Sequence, residues 1–231
     1  MRGLLILVVV LAIALVVGDR VAVTVAQNEI GRKIAAEYNL PRQPKVEIGG
    51  FPFLTQAVDG TYREIDIQVG DWTDQDISVQ NLDVTLTDVS ASLGDLINER
   101  TSNLVAATAT ATAVVPYDVV RKYAPSEVES ISYSPEGLRV TGTFPVDGLS
   151  IPAIVVVTVA PTENGIEVTP VSAQPATGGP TISLALLRQN LTFTVPLQRL
   201  PLGARLTAIE PTADGLQVTA MAHDVHFSDL P

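Results

Sequence analysis

The spacing of apolar positions changes twice along this chain, and each change predicts a different element. Leu4 to Val17 is an uninterrupted apolar run behind a single Arg2. As a helix it would span roughly 21 Å at about 1.5 Å per residue, short of a hydrocarbon core of about 30 Å. A basic residue followed by such a run predicts a secretory signal over residues 1–18, with cleavage after Gly18 and Val16 at the −3 position. The alternative is an uncleaved N-terminal anchor continuing through Val21, Val23 and Val25, with Asp19 and Arg20 at the interface. From Asp19 to Tyr38 the period is helical. Val21, Val25, Ile30 and Ile34 fall near one face, Arg32, Lys33 and Glu37 on another, and Asn39 and Pro41 end the pattern.

After Pro44 the period falls to two. Ile65, Ile67 and Val69 alternate with Glu64, Asp66 and Gln68, as in a half-buried strand. Ile77 and Val79 keep odd positions, then Leu82, Val84 and Leu86 take even ones, which predicts a β-bulge near Gln80–Asn81. Leu104–Val115 alternates threonine with alanine and predicts a strand with one thin apolar face. Pro116–Tyr123 reads as a short helix closed by Pro125. A turn unit then recurs at Glu136-Gly137-Leu138, Asn164-Gly165-Ile166 and Asp214-Gly215-Leu216, each followed by an alternating strand. Acidic-or-Asn before Gly suits the positive φ of a tight hairpin, so the second half predicts antiparallel meanders fed by Ile151–Ala160 and Ala204–Glu210. Ala173–Pro180 reads as the one plausible linker and Ser183–Gln189 as a short helix. The expected architecture is one α+β domain over residues 19–231, mostly long antiparallel strands with one amphipathic helix.

Composition narrows the function. The 231 residues carry a net charge of −11. Residues 1–40 hold Arg2, Arg20, Arg32 and Lys33 against Asp19, Glu29 and Glu37, so the acidic excess belongs to the rest. Such a body is a poor partner for nucleic acid and has no polybasic route to anionic lipid headgroups. With no cysteine there is no lipoprotein attachment site, disulfide framework or thiolate metal site.

Candidate chemistry is sparse. His223 and His226 flank Asp224 in a C-terminal strand, where positions 223 and 226 face opposite sides unless a bulge intervenes. Asp71, Asp74 and Asp76 around Trp72 lack the spacing and turn glycine of a calcium loop and read as a solvated hairpin turn. No phosphate loop, nucleophile elbow or HExxH occurs, and Asn190-Leu191-Thr192 is a formal glycosylation acceptor of low information. No catalytic residue, metal or cofactor is expected.

The segment Ile48-Gly49-Gly50-Phe51-Pro52-Phe53-Leu54-Thr55 stands apart, with two of five phenylalanines flanking a proline after a Gly pair. Physically it fits a core corner, or rings at the mouth of an apolar cavity facing acyl chains or a bilayer. This stretch resembles the signature of the actinobacterial envelope family DUF2993, the LmeA-like phospholipid-binding family. The similarity continues at Leu82-Asp83-Val84-Thr85-Leu86-Thr87-Asp88-Val89 and Leu200-Pro201-Leu202-Gly203-Ala204-Arg205-Leu206-Thr207, and through Asp214-Gly215-Leu216-Gln217-Val218-Thr219 to Asp224-Val225. Leu202 departs from it, where phenylalanine is expected. The resemblance implies an exported, non-enzymatic protein that binds phospholipids, inositol lipids included, and assists lipoglycan growth, with an envelope glycosyltransferase as candidate partner. It also implies a tubular lipid-binding type of fold, a long curved antiparallel sheet wrapped around the helix with an apolar groove.

The expected groove positions are Phe51, Pro52, Phe53, Leu54, Ile65, Ile67, Val69, Val84, Leu86, Phe193, Val195, Leu206, Leu216 and Val218, with Arg63, Lys45 or Arg205 near the headgroup. The protein is placed in a periplasm-like space or on the outer face of the plasma membrane. A competing expectation is a tethered scaffolding domain that binds an envelope enzyme through a sheet edge. A third, an envelope hydrolase or transferase, would need a convergent polar cluster around His223, Asp224 and His226.

Overall fold

The computed structural model describes residues 2–74, 77–92, 104–146, 149–162, 165–176, 192–196 and 200–229. The fold is α+β and mostly β, with two open antiparallel sheets and an N-terminal helix. In chain order the elements are α1 (Arg2–Glu37), β1 (Lys45–Ile48), α2 (Phe53–Asp59), β2 (Thr61–Asp74), β3 (Ile77–Ser90) and β4 (Val105–Val115). Then come α3 (Tyr117–Lys122), β5 (Val128–Ser134), β6 (Gly137–Val146), β7 (Leu149–Thr162), β8 (Gly165–Pro175), β9 (Phe193–Pro196), β10 (Arg205–Pro211) and β11 (Leu216–His226). One sheet has the order β1-β2-β3-β4-β11-β10, the other β5-β6-β7-β8-β9. The chain forms two compact units, one of Met1–Gly70, Asp83–Ala111 and Ala222–Pro231, the other of Asp71–Leu82 and Thr112–Met221.

In the first unit, α1 is a single helix of 36 residues, so the apolar run and the helix after it are one element. Leu4–Val17 is exposed along its whole length, whereas Asp19, Val23 and Gly31 are buried on one face. Ile30 and Ile34 are half-buried as expected, but Val21 and Val25 are 58% and 63% exposed. They sit two residues on from Asp19 and Val23, about 200° around the axis, because the contact face is set by Asp19 and Gly31. Gly31 permits the approach of α1 to the chain entering β1. A Cβ there would stand 2.7 Å from the Pro44 carbonyl oxygen and 3.0 Å from Gln43 Nε2. Gln43 Nε2 in turn donates to the Asn28 carbonyl at 3.0 Å, tying that chain to the helix.

β1 pairs antiparallel with β2, Val46 opposite Ile67 and Ile48 opposite Ile65. Val46, Ile48, Phe53, Ala57, Tyr62, Leu86, Val89, Ala106, Ala222 and Val225 are buried in this unit. Along β3 the expected irregularity falls at Asn81, which has φ 51°. Asp88 and Asp224 adopt the same left-handed conformation inside strands, a region that Asn and Asp tolerate better than most residues. In β4 the strict alternation gives way, with Ala106 and Ala113 both buried although their positions differ in parity.

In the second unit, Leu138, Val140, Phe144, Ala153, Val155, Val157, Ile209 and Leu216 form a packed core. Register explains it: Leu138 opposes Val157 and Val140 opposes Val155, so alternate positions of β6 and β7 stack on one face. All three recurring turns close antiparallel pairs, β5–β6, β7–β8 and β10–β11. The positive φ expected of them holds at Gly137 (φ 144°) but not at Gly215. Gly215 answers to packing instead: a Cβ there would lie 2.3 Å from the Val115 carbonyl oxygen. That turn is fastened by Thr212, whose amide and hydroxyl both donate to the Gly215 carbonyl at 2.8 Å. The Tyr117 hydroxyl reaches it from α3, donating to the Thr212 carbonyl at 2.6 Å.

The first residues of the expected linker are strand instead. Ala173–Pro175 belong to β8 and pair with Val155, Ile154 and Ala153. Residues 177–180, the expected helix over 183–189 and Asn190-Leu191 of the glycosylation acceptor lie outside the described residues.

Candidate membrane-facing site

The signature segment builds a tight corner between β1 and β2 in the first unit. The strand ends at Ile48, and the Gly49 amide donates to the Glu64 carbonyl at 2.9 Å. Gly50 turns the chain with φ 89°, and the Phe51–Pro52 peptide is cis. Gln56 braces the corner from both sides: its Nε2 donates to the Gly49 carbonyl at 3.1 Å and its Oε1 accepts the Arg63 amide at 3.1 Å. Helix α2 then runs to Gly60, which closes it in the left-handed conformation with φ 68°.

Pro52 occupies the N-cap position of α2 and supplies no side-chain acceptor, so the first amides of the helix need another partner. Asp19 of α1 provides it. Its Oδ1 accepts the Leu54 amide at 2.8 Å, its Oδ2 accepts Arg20 Nη2 at 2.8 Å, and the Phe53 amide adds a further hydrogen bond. Asp19 is 2% exposed, so its charge rests on these donors. Arg20 also stacks over Phe51, its guanidinium carbon 5.0 Å from the ring centroid.

The two phenylalanines of the motif therefore differ. Phe53 is 7% exposed and meets Tyr62 at 6.3 Å between centroids, tilted by 34°. Tyr62 is itself buried, and that burial raises its hydroxyl pKa. Phe51 remains 56% exposed, Leu54 43% and Val58 77%. α2 thus buries Phe53 and Ala57 and turns Leu54 and Val58 outward.

Two clefts border this corner. One of about 170 Å³ is lined by Phe51, Pro52, Thr55, Gln56, Asp59, Thr61 and Arg63. The other, about 490 Å³, lies between α1 and the start of the sheet, with Gln27, Asn28, Lys45, Glu47, Glu64 and Asp66 among its lining. The larger cleft is mainly polar in its lining, whereas the smaller one is mixed, with Phe51 and Pro52 beside Gln56, Asp59 and Arg63. Of the fourteen expected groove positions, Phe51 and Pro52 line a described cleft. Ile65, Ile67, Val69 and Val84 are half-buried along β2 and β3, and Leu86 is buried. Leu216 belongs to the core of the second unit, and half-buried Leu206 and Val218 pack against it. Phe193 and Val195 occupy β9, paired with Val168 and Ile166.

Of the expected headgroup cations, Arg63 borders the smaller cleft, Lys45 pairs with Glu47 at 2.6 Å, and Arg205 is exposed on β10 in the other unit. His223 and His226 are both exposed, and Asp224 between them breaks the strand alternation. His223 Nδ1 lies 3.4 Å from the Thr108 hydroxyl. No cluster of three metal-ligating side chains occurs among the described residues. The role of Asp19 and the outward position of Val58 were beyond the reach of sequence; the one available signal was a charged pair directly after the apolar run.

These features define a β-rich module whose N-terminal apolar helix is of the kind that serves as a signal sequence or an anchor. The sequence model of the LmeA-like phospholipid-binding family matches residues 17–221, from the end of the apolar run through most of β11. The chain belongs to that family. No curated protein and no solved structure matches it significantly.

Proposed function

We propose that this protein is a membrane-tethered phospholipid-binding module of the outer envelope face, which holds acyl chains and passes lipid to the machinery that assembles lipoglycans. The observation that carries this is the phospholipid-binding family match over residues 17–221. The geometry agrees with it in two respects. The apolar half of α1 continues without a break into the face that packs on β1 and α2. Ile65, Ile67, Val69 and Val84 leave apolar surface half-buried on the strands that follow. Acyl chains bind such surface at about 25 cal/mol per Å² removed from water, without catalytic groups. Arg63, beside Phe51 in the smaller cleft, is the best-placed cation for a lipid phosphate.

The test uses the full chain reconstituted with a phospholipid carrying a diazirine on its acyl chain. Photolysis should attach lipid to peptides spanning Ile65–Val69 and Val84–Leu86, in addition to α1. Adducts confined to residues 4–17 would mean that lipid merely surrounds the helix, and would overturn the proposal.

A further inference from the structure

We propose that the outward face of α2, made by Leu54 and Val58, is together with the exposed Phe51 just before the helix a seat that rests in the headgroup layer of the bilayer holding α1. The seat rests on the reading of α1 as a retained anchor and adds a second point of membrane contact to it. Three observations place the bilayer, rather than a protein, against this face.

The first is height along α1. The apolar run ends at Val17, and Asp19, two residues later, holds the Leu54 amide at 2.8 Å. Two residues of helix are about 3 Å, so the start of α2 is fixed within one turn of the end of the apolar run. The second is length. The run gives roughly 21 Å against a hydrocarbon core of about 30 Å, and a short span is met by drawing its flanking residues toward the core. The residues drawn in are Asp19 and Arg20, and α2 is hydrogen-bonded to them. The third is chemistry. Leu54 and Val58 are one helical turn apart, Phe51 precedes them, and all three are exposed. Arg20 stacks on Phe51, an aromatic ring paired with a cation that can reach phosphate, as suits a residue at the lipid–water boundary. The acidic body offers no charge attraction to anionic lipid, so an apolar seat is the contact left to it.

The absence of cysteine permits a direct measurement on the full chain. Leu54→Cys, Val58→Cys, Leu11→Cys and Glu37→Cys are each labelled with a nitroxide and reconstituted in phosphatidylcholine vesicles. Collision of the label with oxygen, which partitions into lipid, is compared with collision with a water-soluble nickel chelate. All four native side chains are exposed, so the label displaces no packing. Leu11→Cys should favour oxygen most strongly. Leu54→Cys and Val58→Cys should read at interfacial depth, and Glu37→Cys, about 27 Å along α1 from Asp19, should favour nickel. Leu54→Cys and Val58→Cys matching Glu37→Cys, with Leu11→Cys still in lipid, would overturn the seat and leave the anchor standing. Leu11→Cys in water would remove the anchor and the seat together, without bearing on lipid binding by β2 and β3.

Discussion

Asp19 shows how one side chain can join two helices that sequence treats as unrelated. Asp19→Ala should leave the secondary structure intact but expose the Leu54 amide to hydrogen exchange, which a residue-resolved exchange measurement would read as faster loss of protection. Gly31 is the other residue on which docking turns. Gly31→Ala gains up to about 1 kcal/mol of helix propensity but meets the Pro44 carbonyl, a clash of the kind that costs about 1–3 kcal/mol. It should lower the unfolding temperature in detergent. Gly18→Ala, with no atom within 4 Å of its new Cβ, should not. That Asp19 follows an apolar run is legible in sequence. Its bond to an amide 35 residues away is not, because no periodicity encodes a cap supplied by another helix.

At the scale of elements, legibility tracks how local the cause is. The hairpins announced themselves because a turn and its flanking alternation lie within a few neighbouring residues, and the shift of parity between Val79 and Leu82 located the left-handed Asn81. Gly215 meets a packing demand rather than a conformational one. Its glycine is required by the Val115 carbonyl, which arrives from a strand a hundred residues earlier. The valines of α1 are misplaced by spacing. Val21 and Val25 stand nine residues from Ile30 and Ile34, about 180° around the axis, so the four cannot share one face. The buried side is that of Asp19, Val23 and the isoleucines. An alternating apolar residue looks the same in sequence whether it lines a slot or a core. Leu216 is core by its packing partners, so Leu216→Ala should cost about 2–5 kcal/mol in a denaturant titration. Tyr117→Phe, which deletes the bond that ties α3 to the β10–β11 turn, should cost about 0.5–1.5 kcal/mol by the same measurement.

For the whole molecule, the signs of charge and hydropathy pull apart. The chain is strongly acidic, yet its longest helix presents a bare apolar half. Capture of the full chain on anionic liposomes should therefore hold or improve as salt rises, because screening weakens repulsion while leaving apolar insertion untouched. Loss of capture at high salt would point instead to Arg20, Arg63 or another cation as the dominant contact. The cap lent by α1 also fixes where this protein can be cut and spliced. A chimera that exchanges the leader for a foreign hydrophobic segment keeps the α2 corner closed only if the junction lies upstream of Asp19. A junction chosen at the end of the helix, near Tyr38, would look cleaner by secondary structure and would leave the Phe53 and Leu54 amides without their acceptor.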